Sequence, residues 1–290
     1  MTKSYVKNKI FTLLGGLGLL LLIAACGRVS LSLTDAPIDT AEAVVIFFTS
    51  VEITPTNGDI VKIKYPSPKS IDITTLVDGA TFLLLDNESI PNDSYSGLEL
   101  KLDIDSSYVT IDGSDFPLRI PAGSESGLSV TKNFEVKPGS SNRLIVDFDL
   151  RRSLYDPEDG DSDYVLRPKL RLVDESDTGT MSGLVDASLL SSETKCFDNV
   201  GEVTAVVYVF KGHSINDDDI DDIAPDPVTS AKVSANMDYT VAFMEEGDYT
   251  LSLTCEATDD DPATDDNISF LKKHEVSLIK GQVIAQDFSL

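Results

Sequence analysis

Three acidic stretches hold the residue types best suited to chemistry in this chain: Asp156 to Asp163, Asp217 to Asp222, and Asp259 to Asp266. Hard cations such as calcium take six to eight oxygen ligands, and Asp159, Asp161 and Asp163 alternate about Gly160 as ligands of a coordinating loop would. The glycine and glutamate register of an EF-hand is missing, and Asp156-Pro157, Asp226-Pro227 and Asp261-Pro262 suit solvated turns equally well. Both readings stay open: a calcium loop at Asp159, Asp161 and Asp163, or acidic turns with no cofactor.

A second pair of carboxylates, Asp147 and Asp149, projects from one face of an expected strand, because Val146 and Phe148 must point the other way. Paired carboxylates permit acid–base chemistry. Arg167, Lys169 and Arg171 alternate in the same manner on a later strand, however, and cross-strand ion pairs account for both sets more simply. No G-x-S-x-G elbow, phosphate loop or H-E-x-x-H motif occurs. His213 and His274 follow lysine-bearing segments typical of surface. No catalytic residue is assigned, and the chain is expected not to be an enzyme.

The clearest chemistry lies at Cys26. Lys3, Lys7 and Lys9 lead into an apolar run from Ile10 to Ile23, interrupted by Gly15, Gly16 and Gly18 and short of the roughly 20 residues a membrane span needs. Small residues then precede a cysteine, the layout of a secretory signal. The segment Leu22-Ile23-Ala24-Ala25-Cys26 resembles a bacterial lipobox. That resemblance implies that residues 1–25 are a removed signal peptide, that Cys26 is acylated, and that the bilayer is a partner. Gly27, standing where an aspartate would retain a lipoprotein at the inner membrane, implies the outer membrane. Residues 26–28 are read as a lipidated cysteine with a short tether. Acylation consumes one of three cysteines, and Cys196 and Cys255 are expected to pair in a compartment where disulfides persist.

Composition narrows the remaining classes. With 49 acidic against 23 basic residues the formal charge is −26, which disfavours nucleic acid and anionic membrane surfaces. Trp is absent, which weakens the case for aromatic sugar platforms.

The elements that must position these residues are strands. Period-two alternation dominates after Cys26, as in Val29, Leu31 and Leu33 or Leu98, Leu100 and Leu102. Ala43 to Val51 reads as a buried central strand, Ile60–Tyr65 and Ile71–Thr74 as two short strands, and Tyr164–Val173 as one; Leu76–Leu85 is open between helix and strand. A break at Asp174 to Gly179 divides the pattern, after which Glu245-Glu246-Gly247-Asp248 and Lys280-Gly281 read as hairpin turns. The expected fold is all-β, two consecutive β-sandwich domains over 29–175 and 180–290.

Leu31-Ser32-Leu33-Thr34-Asp35-Ala36-Pro37, Tyr95-Ser96-Gly97-Leu98-Glu99-Leu100, Ser126-Gly127-Leu128, Leu144 to Asp149 and Tyr164-Val165-Leu166-Arg167-Pro168 together resemble a family of bacterial lipoprotein domains of unknown function. The family brings no catalytic residues. Asn92-Asp93 replaces its usual glycine before the tyrosine strand, implying a different hairpin turn. In the second half, Gly179 to Val185, Tyr239 to Phe243 and Gly247 to Leu251 resemble the transthyretin-like sandwiches of carboxypeptidase regulatory domains, which implies an accessory or structural role. The expected function is a non-catalytic, outer-membrane-anchored envelope lipoprotein that binds, adheres or scaffolds, with an envelope protein or polysaccharide as partner. A calcium-dependent polysaccharide-binding adhesin is the second reading and an envelope hydrolase the third.

Overall fold

The computed structural model describes residues 26–38, 40–121, 127–157 and 162–290. Within them the chain is all-β. Up to Asp174 it forms β1 (Gly27–Ala36), β2 (Ala43–Pro55), β3 (Val61–Asp72), β4 (Phe82–Ile90), β5 (Asp93–Leu102), β6 (Tyr108–Ile111), β7 (Ser114–Arg119), β8 (Leu128–Val136), β9 (Ser141–Asp149), β10 (Leu154–Tyr155), β11 (Tyr164–Leu166) and β12 (Leu170–Asp174). One sheet has the order β12-β9-β1-β4, and an eight-stranded sheet runs β10-β11-β7-β6-β2-β5-β8 with β3 paired to β2. They face each other across one apolar core, in which Val29, Leu31, Leu33, Val146 and Phe148 meet Ile46, Val51, Leu98 and Leu100. Strands β1 and β9 are parallel, so both run from Cys26 toward Ala36 and Asp149.

The remainder forms β13 (Thr178–Leu184), α1 (Ala187–Leu190), β14 (Val206–Lys211), β15 (Thr229–Lys232), β16 (Asp238–Glu245), β17 (Gly247–Thr254), β18 (Phe270–Leu278) and β19 (Val283–Ala285). Its sheets, β16-β13-β19 and β15-β14-β17-β18, enclose a second core that includes Met181, Val241, Val207, Leu251 and Phe288. The disulfide Cys196–Cys255 joins the segment before β14 to the end of β17.

Local chemistry explains where the expected elements form and where they differ. Asp112 and Gly113 both take positive φ, the pattern of a two-residue hairpin loop, and β6 and β7 pair across them. The stretch 60–74 is one long strand, β3, ending in a 3-10 turn capped by Asp72. The open stretch 76–85 turns at Asp78-Gly79, both at positive φ, and then enters β4. Residues 164–173 form two strands in different sheets, not one, because Pro168 has no N–H to donate and restrains Arg167 before it.

The turns at Glu245–Asp248 and Lys280-Gly281 are not hairpins. Strand β16 pairs with β13, whereas β17 pairs with β14 and β18; β18 lies with β17, whereas β19 joins β13. Each turn carries the chain across the sandwich. The link from β4 to β5 at Pro91-Asn92 is also a crossing, so the substitution of Asn92-Asp93 belongs to an arch, not a hairpin.

Two of these arches use the same device. Tyr95 Oη donates to Pro91 O at 2.7 Å, and Tyr249 Oη donates to Glu245 O at 2.8 Å. Both rings are buried, and a tyrosine hydroxyl returned to the backbone four residues upstream clamps a sheet-to-sheet corner. Replacing either by Phe should lower the unfolding free energy by about 1–2 kcal/mol, read from urea denaturation midpoints; a change within about 0.3 kcal/mol would mean that the hydroxyl contributes nothing.

Candidate functional site

Cys26 is exposed, yet the chain is ordered into a sheet from the next residue. Gly27 and Arg28, expected as a tether, belong to β1 and pair with Ile90 and Ser89. Gly139 N donates to Cys26 O at 3.3 Å, and Arg28 N donates to Ser140 O at 2.8 Å. Gly27 is buried, and a Cβ there would come within 2.3 Å of Val136 Cγ1 and 2.7 Å of Lys137 O. Packing alone therefore demands glycine after the cysteine.

At the opposite end of β1 and β9 the two halves of the chain meet. Asp35, Asp147 and Asp149 are all buried there, as are their neighbours Val146 and Phe148, so β9 has no wet face from Leu144 onward. Asp147 accepts from Arg171 Nη2 at 2.6 Å, the expected cross-strand ion pair. Asp149 has a different set of partners: Oδ1 accepts from Arg152 N at 3.2 Å, while Oδ2 is buried with no hydrogen-bond partner. Burial pushes the Asp149 carboxyl up to about 7, with Arg152 opposing and Asp147 reinforcing the shift. Burial likewise raises Asp35 well above the usual carboxylate range, although Leu150 N donates to it at 3.1 Å.

The basic residues expected opposite these aspartates mostly reach across to the second half. Lys169 pairs with Asp222 at 2.6 Å, Arg171 Nη1 donates to Phe243 O at 2.7 Å, and Arg167 lies over the Tyr155 ring at 4.4 Å. Arg152 pairs with Asp226, and Arg151 Nη1 donates to Ala257 O at 2.9 Å. Asp147, Asp149, Arg152, Lys169 and Arg171 line an open cleft of about 260 Å³ together with Val228. No group in it pairs an activated nucleophile with a base, and the geometry is that of a charge-paired contact between two sandwiches.

Of the calcium loop expected at Asp159, Asp161 and Asp163, the first two lie outside the described residues, and Asp163 accepts from Ser162 Oγ at 3.2 Å. The other two acidic stretches are drawn together. Strand β14 reads Val-Val-Tyr-Val-Phe and is buried on both faces, as a continuous apolar run requires. Its inner residues Val207 and Val209 enter the second core. Its outer residues Val206, Tyr208 and Phe210 pack under Ile215, Ile220, Ala257 and Ile268, which are carried on the two acidic loops. Tyr208 Oη donates to Asp260 Oδ2 at 2.5 Å, and Ile220 N donates to Asp260 Oδ1 at 3.2 Å. Asp219, Asp260 and Asp266 offer carboxylate oxygens within 4.8 Å of one another, as do Asp219, Asp221 and Asp265. The continuous apolar run was the sequence signal for this cover. His213 lies 3.6 Å from Asp248 and 3.8 Å from Glu275, and the His274 ring packs on Phe288 at 5.0 Å; neither histidine stands in the acidic group.

Residues 26–168 match the model of a family described as "Domain of unknown function (DUF4382)", which supports the resemblance of the first half to a family of that kind. None of the curated proteins matches the chain. Among solved structures, the Bacillus anthracis TIE protein is similar at 11% identity and a TM-score of 0.23, over 91% of this chain and 33% of that one. The chain thus spans about a third of that protein. The minor pilin GBS52 of Streptococcus agalactiae is similar at 10% identity and TM-score 0.22, over 89% and 94% of the two chains. The fimbrial anchor protein Mfa2 from Porphyromonas gingivalis is similar at 13% identity and TM-score 0.20, over 87% and 83%. TM-scores of this size carry no argument about what this chain does. No described helix is long and apolar enough to cross a membrane.

Proposed function

We propose that the chain is a non-catalytic envelope lipoprotein, acylated on Cys26 and held at the outer membrane, whose two β-sandwich domains (29–175 and 180–290) serve as a binding, adhesion or scaffolding module. The observation that supports this reading is the exposed Cys26 joined without a stalk to the first strand of a sheet. Acyl chains there would hold the first sandwich against the bilayer, since one chain alone anchors marginally and several anchor durably. The ten residues of β1 carry the fold roughly 30 Å away from the anchor, at about 3.3 Å per residue. The acidic loops bonded through Arg151, Arg152 and Lys169 then lie toward the far end. That arrangement keeps a chain of net charge −26 from setting its most acidic loops against anionic headgroups. The second sandwich acts as an accessory domain, in keeping with its transthyretin-like resemblance.

Cell fractionation tests the reading. The wild-type chain should sediment with outer membranes and Cys26→Ala should appear in the soluble fraction. Retention of Cys26→Ala in the membrane would contradict lipid anchoring, and turnover of any member of a panel of esters, peptides and glycans would contradict the non-catalytic assignment.

A further inference from the structure

We infer that the acidic loops over β14 form a calcium site, with Asp219 at its centre and Asp221, Asp260, Asp265 and Asp266 around it. Two observations carry this independently. The first is the grouping: Asp219 belongs to both sets of three carboxylates whose oxygens converge within 4.8 Å. The second is Asp219 itself, which is 1% exposed and whose Oδ1 is buried with no hydrogen-bond partner; its Oδ2 accepts from Asp266 N. A buried carboxylate oxygen left without a donor is costly in a folded chain, and a cation held among like charges removes both penalties together.

The surrounding basic residues are engaged elsewhere. Lys273 pairs with Asp217 at 2.5 Å, Lys195 with Asp259 at 2.8 Å, Lys169 with Asp222 at 2.6 Å, and Arg152 with Asp226. None of these salt bridges uses a carboxylate of the two groups of three that share Asp219. Arg151, which donates to Ala257 O, is the basic group that Asp260 does feel. An all-oxygen, carboxylate-rich set on two loops suits calcium, which accepts six to eight ligands in flexible geometry, better than magnesium, which demands a near-ideal octahedron and keeps its waters. Bound calcium would fasten the loop at Asp217–Asp222 to the loop at Asp259–Asp266 beside the Arg151–Ala257 bond between the two halves. This inference goes beyond the proposed anchoring and stands whether or not Cys26 is acylated.

The test is calcium binding by the purified full chain in mild detergent, followed by isothermal titration calorimetry and thermal denaturation. With 5 mM calcium the melting temperature should rise by about 3 °C or more over EDTA, and 5 mM magnesium should give less than half that rise. Asp265→Asn, at an exposed position, should weaken calcium binding about tenfold or more while leaving the fold intact; Asp219→Asn should do the same or fail to fold. Asp163→Asn, in the first acidic stretch, should bind as the wild type does. Unchanged melting and no binding heat with calcium would overturn the inference. So would equal effects of the two cations, wild-type affinity in Asp265→Asn, or loss of binding in Asp163→Asn.

Discussion

Replacing Cys196 and Cys255 together by alanine should lower the unfolding free energy of the second sandwich by about 4 kcal/mol. The bridge closes a loop with a sequence separation of 59, and the chain-entropy relation gives about 4 kcal/mol for a loop of that length. Both cysteines are buried, so reduction would also leave two thiols in the core. The segment it holds is otherwise thinly supported: α1 has four residues, and the Phe197–Val203 pairing is an isolated bridge. At the scale of a domain near 100 residues, this loss corresponds to a fall in melting temperature of roughly 15 °C or more. Denaturation of the double variant, followed by tyrosine fluorescence, measures it. A difference below about 1 kcal/mol would mean that the loop is held by its packing and not by the crosslink.

Stability should fall as pH rises from 5 to 8, and Asp149 should account for much of the slope. Its folded-state carboxyl titrates at about 7, against about 3.9 for an unfolded Asp. Between those values the folded chain holds a proton that the unfolded chain lacks. Its contribution is therefore complete below about pH 4 and is lost as pH climbs through about 7, amounting to roughly 2–4 kcal/mol. The groups facing it are Asp35 from β1, Asp147 from β9, and Arg151 and Arg152 from the following turn. Asp260, raised to about 6, acts in the same direction over a narrower window. Self-repulsion of a chain of charge −26 also favours low pH, so the variant Asp149→Asn isolates the term. Measured in EDTA, it should be more stable than wild type at pH 8 by about 1–3 kcal/mol and should flatten the profile. A wild-type profile that rises from pH 5 to 8, or an unchanged slope in Asp149→Asn, would contradict the buried-carboxylate account.

The strands were legible in the sequence wherever one face is buried and the other wet, as at Leu98, Leu100 and Leu102. The Asp112-Gly113 hairpin forms because both residues tolerate positive φ. The crossings at Glu245–Asp248 and Lys280-Gly281 were not legible, since turn residues encode a reversal of direction and not which sheet receives the next strand. Tyr249 carried the missing information for the first of these, as Tyr95 did for the crossing from β4 to β5, since each sits four residues past the corner carbonyl that it binds. Asp147 and Asp149 looked alike because alternation defines a face but not what covers it; the second half covers this one, and beneath it Asp147 is paired by Arg171 of the neighbouring strand β12 while Asp149 Oδ2 has no hydrogen-bond partner. In the acidic loops aspartate density masks the sparse apolar anchors Ile215, Ile220 and Ile268, which fold them over Tyr208, so that solvated turns and a calcium loop both stayed open in the sequence.

The proposed anchoring requires Cys26 to be the amino terminus of the mature protein and to bear acyl chains. Intact and peptide mass spectrometry of the protein extracted from its native membrane tests it most directly. The expected result is an amino-terminal peptide that begins at Cys26 and carries a thioether-linked diacylglyceryl group and an amide-linked acyl chain. A mature terminus at any other residue, or an unmodified Cys26, would contradict it.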